Sequence, residues 1–303
     1  MSHISVNKSN KIKKSKARIA FEIFNYIFLT VFGILCLLPM LHVLFSSFSD
    51  PNWLNTQSGL ILWPKGFNVE GYKRVFSNQQ MIRGFLNTFV YVGASTAIGM
   101  VLTIIGGYVL SRKNLLWGNA IMFMISFTML FNGGIVPLYM VMQKLGMLDT
   151  GWSVILPTCL STFNLIMMRT AFAGVPDSLE ESAKLDGAGD LIIIFQVMLP
   201  LVKATVATVA LYYIIGSWNS WFPAAMYIKD RALYPLQLVL REILILNDTT
   251  SSSTSGDLAA NADIFRQLVK YCTIIISSAP MLVIYPFVMK YFKSGVMVGS
   301  IKG

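Results

Sequence analysis

Long apolar runs alternate with short polar segments along most of this chain. Six runs are each about 20 residues or more, the length at which an α-helix crosses about 30 Å of hydrocarbon. They lie at Phe21–Phe45, Phe85–Leu110, Trp117–Met142, Ser153–Phe172, Leu201–Phe222 and Leu268–Tyr291. None shows the alternation with period two that membrane strands require. The pattern therefore predicts an all-α polytopic membrane protein with six transmembrane helices.

The polar segments predict how the chain is divided. A basic arm at 1–20 precedes the transmembrane domain at 21–292, and a short tail follows at 293–303. Within the domain, 176–200 forms a polar loop and 223–267 forms a second, longer loop that includes a Ser/Thr-rich run. The third apolar run is interrupted by Asn132, Gly133, Gly134 and Pro137, so we expect a break there.

Composition and charge agree with a membrane protein. The 303 residues are 55% hydrophobic and only 13% charged, whereas soluble domains are about 25% charged. The net charge of +10 is explained by topology, because basic residues collect in cytoplasmic segments. They are densest in 1–20, 111–116, 169–203 and 290–303, which places both termini and the 176–200 loop in the cytoplasm. No basic patch with interleaved aromatic residues indicates nucleic-acid binding.

Groups for catalysis and for ion coupling are scarce in the sequence. The central parts of the second to sixth runs hold no ionisable residue, although coupled carriers usually need one at membrane depth. The chain has no GxxxxGK[ST] phosphate loop and no set of residues typical of catalysis, and its two histidines exclude a multi-His metal site. We therefore expect no enzyme activity, metal or cofactor in this chain, and an energised transporter would receive its energy from another subunit.

The 176–200 loop has the pattern of two short helices. Ser178 and Glu181 have capping-box spacing, which predicts a first helix over Leu179–Leu185 that ends at Gly187 and Gly189. Asp190 is the expected cap of a second helix, Leu191–Met198, which should stop before Pro200. The small residues of the first helix would fit a groove on a partner. An ordinary capped loop explains the same residues about equally well.

A family resemblance separates these two interpretations. The segment Glu181-Ser182-Ala183-Lys184-Leu185-Asp186-Gly187-Ala188, followed by a helix and Leu199-Pro200, resembles the EAA loop of binding-protein-dependent ABC importer permeases. Ser182 stands where that family usually has Ala, a small-for-small change. The resemblance implies the type I permease fold with a cytoplasmic coupling helix that docks on a separate ATPase. The coupling residues that it implies are Glu181, Ser182, Ala183, Asp186, Gly187 and Ala188.

Further segments resemble the carbohydrate-uptake branch of that family and its smaller, maltose-G-type subunit. They are Asn87-Thr88, 134–139, 145–150 and the tail 299–303, in which Lys302 and Gly303 are implied to reach the ATPase. The segments 218–221, 234–237 and 241–243 resemble the polysaccharide and complex-oligosaccharide subgroup.

Candidates for lining a substrate pathway lie near the end of the fifth run. Tyr212, Gly216 and Asn219 recur on one helical face, and Trp218 and Trp221 offer rings that could stack on sugars. An interfacial aromatic belt is the simpler explanation for any single ring.

The resemblance implies a permease subunit of an ATP-driven oligosaccharide importer in the bacterial cytoplasmic membrane. Its expected partners are a second homologous permease, two ATPase subunits that use ATP and Mg, an extracytoplasmic solute-binding protein and the oligosaccharide. In such importers the loop at 223–267 meets the binding protein. The alternatives are a secondary sugar carrier that works without an ATPase, and a scaffold with no transport activity.

Overall fold

The computed structural model describes residues 15–249 and 257–299, with side chains described for 15–245 and 265–286. Most of the predicted basic arm, most of the Ser/Thr-rich run, and Lys302 and Gly303 lie outside these residues. The helices in chain order are α1 (Lys16–Ser47), α2 (Pro51–Thr56), α3 (Glu70–Ser77), α4 (Gln79–Ser111), α5 (Gly118–Leu130), α6 (Ile135–Lys144), α7 (Trp152–Thr158), α8 (Thr162–Ala173), α9 (Asp177–Leu185), α10 (Asp190–Leu201), α11 (Lys203–Trp218), α12 (Phe222–Tyr227), α13 (Leu236–Thr249) and α14 (Asp257–Gly299).

Three of these helices are long and apolar enough to cross a membrane by themselves: α1, α4 and the Phe265–Pro286 part of α14. Three further spans are bent pairs. The bend is 111° between α5 and α6, 44° between α7 and α8, and 92° between α10 and α11. With each pair counted as one span, the described residues hold up to six spans, the predicted number, but only three of them are single helices. The pair that forms the fifth span also includes residues 190–200, which the sequence analysis assigned to the polar loop.

The sharpest break lies in the third span, where the sequence predicted an interruption. Gly134 has a φ of +89°, a backbone conformation that glycine adopts without steric cost. The side chain of Asn132 accepts a hydrogen bond from the Gly134 N–H at 3.0 Å. Pro137 is the third residue of α6, where the N–H has no partner within the helix in any case. Pro137 therefore fits within the first turn of the second half of the span without breaking it.

The helix that follows the polar loop is longer than predicted. It begins at Asp190 with Gly189 as N-cap, so Asp190 is not its cap. It also continues through Pro200 to Leu201, so the predicted stop before Pro200 is wrong. Residues Ile193–Met198 form a π-helical turn. The wider turn displaces the carbonyls that a proline ring would otherwise contact, and the helix passes through Pro200 instead of ending there.

Helix α4 forms the centre of the packing and contacts α8, α11 and α13. Two glycines bring it close to α7 and α8. A Cβ added at Gly99 would lie 2.4 Å from the Cys159 carbonyl oxygen, and one added at Gly107 would lie 2.8 Å from Met168. Small residues at these positions allow close helix approach, the usual device in membrane helix pairs.

The outermost helices keep apolar surfaces uncovered. No residue in the most apolar 18-residue window of α1 is buried, and α5 has no buried residue at all. Exposed apolar faces of this size require lipid or another subunit around them.

The predicted loop at 223–267 is largely helical in its described part. It contains α12, a 3₁₀ turn at Arg231–Leu233, α13 and the beginning of α14. Leu236 and Val239 of α13 belong to a core cluster with Met81 and Val92 of α4. This segment is therefore a packed part of the domain.

Candidate functional site

Helix α9 contains most of the predicted coupling residues, and its two ends form differently from expectation. It begins at Asp177 with Pro176 as N-cap and no side-chain cap. Ser178 is the second residue of the helix, so the predicted capping box does not form. The proline sets the extended geometry that precedes the first turn, which moves the start of the helix two residues towards the N-terminus. Asp177 and Glu180 complement the positive end of the helix dipole instead.

The other end of α9 closes on the predicted glycine. Gly187 has a φ of +79°, and its N–H donates to the Lys184 carbonyl at 3.0 Å. The Ala188 N–H donates to the Ala183 carbonyl, also at 3.0 Å. These two bonds form a Schellman motif, which satisfies the last carbonyls of the helix. A side chain with a Cβ would strain this turn, so Gly187 has a structural requirement besides any contact with a partner.

A network of charged side chains attaches α9 to the end of α4. Glu180 is buried, and its carboxylate forms an ion pair with the Arg112 guanidinium. Lys184 Nζ donates to the other Glu180 oxygen, Oε1, at 2.7 Å. A second ion pair joins Lys113 Nζ to Asp177 Oδ2 at 2.6 Å. We call these five residues the α9 joint.

Arg112 is held from several sides, which fixes the geometry of the joint. Its Nη2 donates to the Ser111 hydroxyl at 2.9 Å and to the Phe172 carbonyl at 3.4 Å. Its guanidinium lies 4.7 Å from the ring centroid of Tyr108, a cation–π distance. One side chain therefore contacts α4, α8 and α9 together.

The pKa values in the joint follow from these contacts. Burial would raise the pKa of Glu180, but the hydrogen bond from Lys184 and the positive charge of Arg112 outweigh it, so the pKa lies below its usual range. The hydrogen bond to Glu180 raises the pKa of Lys184 in turn. Glu180 and Lys184 are therefore both charged at neutral pH, and α9 is attached through ion pairs.

The predicted coupling residues divide between two faces of α9 and its turn. Glu181, Ser182, Asp186 and Gly187 are exposed. Ala183 and Ala188 are half-buried and pack on a core cluster that includes Met168, Ile193 and Met198. Leu185, which the sequence reasoning did not single out, is 89% exposed on the outward side. The helix therefore presents an acidic surface on which Leu185 is the most exposed apolar side chain.

Glu180 and Arg112 were also missed as site residues. The sequence analysis used Arg112 only as part of the basic segment 111–116. The spacing of Glu180 and Lys184, four apart on a predicted helix, was a signal for their pair. No local signal predicts Arg112, since it lies 68 residues away in the chain.

At the opposite end of α4, side chains bond to backbone groups of residues 229–236. Asn87 Nδ2 donates to the carbonyls of Ala232 and Tyr234 at 2.8 and 3.1 Å. The buried Leu236 N–H donates to the Thr88 hydroxyl at 2.8 Å. The Tyr91 hydroxyl donates to the Leu233 carbonyl at 2.9 Å.

Asp149 adds a contact of the same kind from the turn after α6. Its Oδ1 accepts the N–H groups of Lys229 and Asp230, both at 2.8 Å, and they hold its pKa below the usual range. Its φ of +60° is unusual for a side chain larger than glycine, but Asp tolerates it. We call Asn87, Thr88, Tyr91 and Asp149, with the backbone they bond, the α13 joint. It brings together three of the segments that carried the sequence resemblance: 87–88, 145–150 and 234–237.

The predicted pathway residues differ in exposure. Tyr212, Gly216 and Asn219 are exposed along one face of α11 and its end. Trp218 is only 2% exposed, and its Nε1 donates to the Ser277 carbonyl at 3.2 Å. Trp221 is half-buried, with the Arg241 guanidinium 4.0 Å from its ring centroid. Of these five residues, Tyr212, Gly216 and Asn219 are the ones that face outward, while both tryptophan rings are engaged in packing.

Comparison with known proteins places the chain among transporters. No protein-family model matches it. It is 37% identical over 286 residues to the polygalacturonan/rhamnogalacturonan transport system permease protein YtcP of Bacillus subtilis, covering 93% of this chain and 98% of that protein. It is 38% identical to Protein LplC of the same organism, covering 95% and 97%. Its fold also matches a chain in the crystal structure of a bacterial ABC transporter involved in the import of the acidic polysaccharide alginate. The TM-score is 0.84 and the sequence identity 29%, and the match covers 93% of this chain and 100% of the alginate transporter chain.

Proposed function

The chain belongs to the permease subunits of ABC transporters that import oligosaccharides and polysaccharide fragments, and we propose that its own cargo is an acidic oligosaccharide. As a permease it is a transport component and not itself an enzyme. The proposal of an acidic cargo is supported by two relatives, one named for polygalacturonan and one for alginate. The alternative of a secondary sugar carrier has no observation in its favour.

The coupling function rests on one observation, the exposed face of α9 above its ion-paired attachment. In this proposal the exposed residues Glu181, Ser182, Asp186 and Gly187 contact a separate ATPase, with Leu185 as the apolar anchor. Movement of that ATPase on binding ATP displaces α9, and the α9 joint transmits the displacement to α4 and α8. Ala183 and Ala188 serve the same coupling from the inner face, through their packing on the core.

The partners follow from the family in general terms: an ATPase, a binding protein and a second permease. We propose two ATPase subunits and a second permease that is a different, homologous chain. The uncovered apolar faces of α1 and α5 offer surface for such a neighbour. Lys302 and Gly303, outside the described residues, are proposed to reach the ATPase.

The orientation is proposed from the basic residues. Arg112, Lys113, Arg169, Lys184 and Lys203 lie at the α9 end of the spans, which by the positive-inside bias faces the cytoplasm. The α13 joint then faces the binding protein, and both termini are cytoplasmic in a bacterial cytoplasmic membrane. Cysteine labelling of single exposed sites on each side of sealed vesicles tests this orientation.

Uptake by the reconstituted transporter tests both coupling and cargo. The full assembly with its binding protein is expected to accumulate oligogalacturonate at the expense of ATP. The variant Glu181→Lys should insert and assemble but hydrolyse ATP without uptake, because a reversed charge on the exposed face disturbs the ATPase contact. Normal uptake by this variant would contradict the coupling role of α9. Uptake of neutral oligosaccharides alone would contradict the acidic cargo.

A further inference from the structure

A cavity of about 310 Å³ lies between the end of α11, the start of α13 and the middle of α14. Its α14 wall, from Ser277 to Tyr285, is inside the apolar span Phe265–Pro286. The volume is at the lower end of the range for small-molecule sites, about 300–1,000 Å³. A space of this size fits a single unit of a longer chain better than a whole oligosaccharide.

Uncharged polar groups converge on this cavity. Asn219, Gln237, Ser278 and Tyr285 contribute amide and hydroxyl groups, and Trp218 and Leu282 contribute apolar walls. Asn219 Nδ2 bonds back to the Ile215 carbonyl at 3.0 Å, which leaves its Oδ1 available. Among the residues whose side chains are described, the other three polar side chains make no hydrogen bond.

The backbone of α14 adds one more acceptor. Pro286 has no N–H, so the carbonyl of Leu282, four residues earlier, lacks its normal helical donor. Polar groups without partners are costly at membrane depth, and they are tolerated there mainly where they line a cavity with polar contents. This set of acceptors and donors therefore indicates an occupant that is rich in hydroxyl groups.

We propose that this cavity is a sugar-binding subsite in which Asn219, Gln237, Ser278 and Tyr285 contact the hydroxyl groups of one unit of the cargo while Trp218 and Leu282 pack against its ring. The proposal rests on the sugar-import function. Since the lining side chains are uncharged, the subsite binds hydroxyl groups and does not select for carboxylates. Asn219 belongs both to the cavity and to the exposed face of α11 with Tyr212 and Gly216, so the subsite continues along that face.

Uptake measurements on the complete reconstituted transporter test the subsite. Asn219→Ala and Gln237→Ala should each lower the uptake of oligogalacturonate about three- to tenfold, mainly through KM, because each removes a neutral hydrogen bond. Gln267→Ala is the matched control, since Gln267 is an exposed amide of α14 outside the cavity. Equal uptake by the cavity variants and the control would overturn the subsite. A wild-type transporter that carries no sugar would instead contradict the proposed function, and the subsite with it.

Thiol labelling gives a second measurement that does not depend on transport rate. Ser278→Cys in a Cys36→Ser background places one accessible thiol in the cavity, since Cys159 and Cys272 are buried. Sugar delivered by the binding protein should protect this thiol from alkylation. Protection that appears on assembly with the second permease and is unchanged by sugar would overturn the proposal, because the occupant would then be the neighbouring subunit.

Discussion

The α9 joint and the α13 joint attach helices to opposite ends of α4 by different chemistry. The α9 joint uses ion pairs between long side chains: Glu180 with Arg112 and Lys184, and Asp177 with Lys113. The α13 joint uses hydrogen bonds from side chains to backbone groups. Hydrogen bonds to backbone weaken steeply with distance and angle, whereas attraction between charges falls off gradually. The first joint is therefore suited to an element that moves, and the second to one that keeps a fixed register.

The largest effect is expected from removing the central charge of the α9 joint. Glu180→Gln leaves Arg112 unpaired in a site where the two side chains are only 18% and 9% exposed. Breaking a buried pair in this way costs about 3 kcal/mol or more, so we expect lower thermal stability and fewer sugars imported per ATP hydrolysed. Both quantities can be measured on the purified assembly.

Two further variants test whether the pairing of Glu180 with Arg112 is what couples α9 to α4. Asp177→Asn breaks the exposed pair with Lys113 and should change little, because exposed pairs contribute little. The charge swap Arg112→Glu with Glu180→Arg should restore part of the transport. If the swap is as inactive as Glu180→Gln while the protein assembles, the pairing itself is not what couples α9 to α4.

A smaller effect is expected on the exposed surface of α9. Leu185→Ala removes an apolar side chain that the proposed docking would bury, a loss of about 2 kcal/mol. Affinity for the ATPase should fall more than tenfold with unchanged stability of the permease alone. Leu191→Ala, at an exposed position of α10, is the control. Equal affinities for the two variants would show that Leu185 does not enter the ATPase interface.

The α13 joint should respond in stability and not in coupling. Thr88→Val leaves the buried Leu236 N–H without an acceptor, which costs about 1 kcal/mol or somewhat more. Thr208→Val is the control, since that hydroxyl only bonds back to Ala204 in its own helix. We expect a lower unfolding temperature for Thr88→Val and an unchanged ratio of sugar to ATP. A changed ratio would remove the distinction between the two joints.

The smallest expected effect is the loss, at low pH, of the two backbone hydrogen bonds that Asp149 accepts. Its pKa is depressed in the folded protein by the N–H groups of Asp230 and Lys229. Its contribution to the stability of the folded protein is therefore fully present above the pKa of the unfolded state, about 4. That contribution is lost as pH falls through the lower pKa of the folded state. The protection factors of these two amides, which correct for the intrinsic pH dependence of exchange, should stay high at pH 5 and fall only well below pH 4, in contrast to the reference variant Asp149→Asn. Loss of protection already at pH 6 would mean that the carboxylate is not what holds these amides.

Much of the architecture was predictable because it depends on local pattern. Apolar runs long enough to cross a membrane located the six spans, and Asn132–Gly134 located the sharpest break. Gly187 was recognised as a helix end because only a glycine adopts that conformation without cost. The helix at 190–201 was harder to predict. A proline ends most helices, and the π-helical turn that accommodates Pro200 has no sequence signal.

The sequence by itself determined the helical spans, the coupling-loop pattern and the family, since helix formation and hydrophobic length depend on residues close together in the chain. Only the tertiary structure decided that Arg112 meets Glu180, that Trp218 is buried, and that Gln237 and Ser278 line one cavity. These contacts join residues that are far apart in sequence, and their geometry depends on how helices cross and where spans bend. Packing between helices thus determines how the predicted coupling helix is attached to α4. It also forms the cavity beside the predicted pathway face of α11.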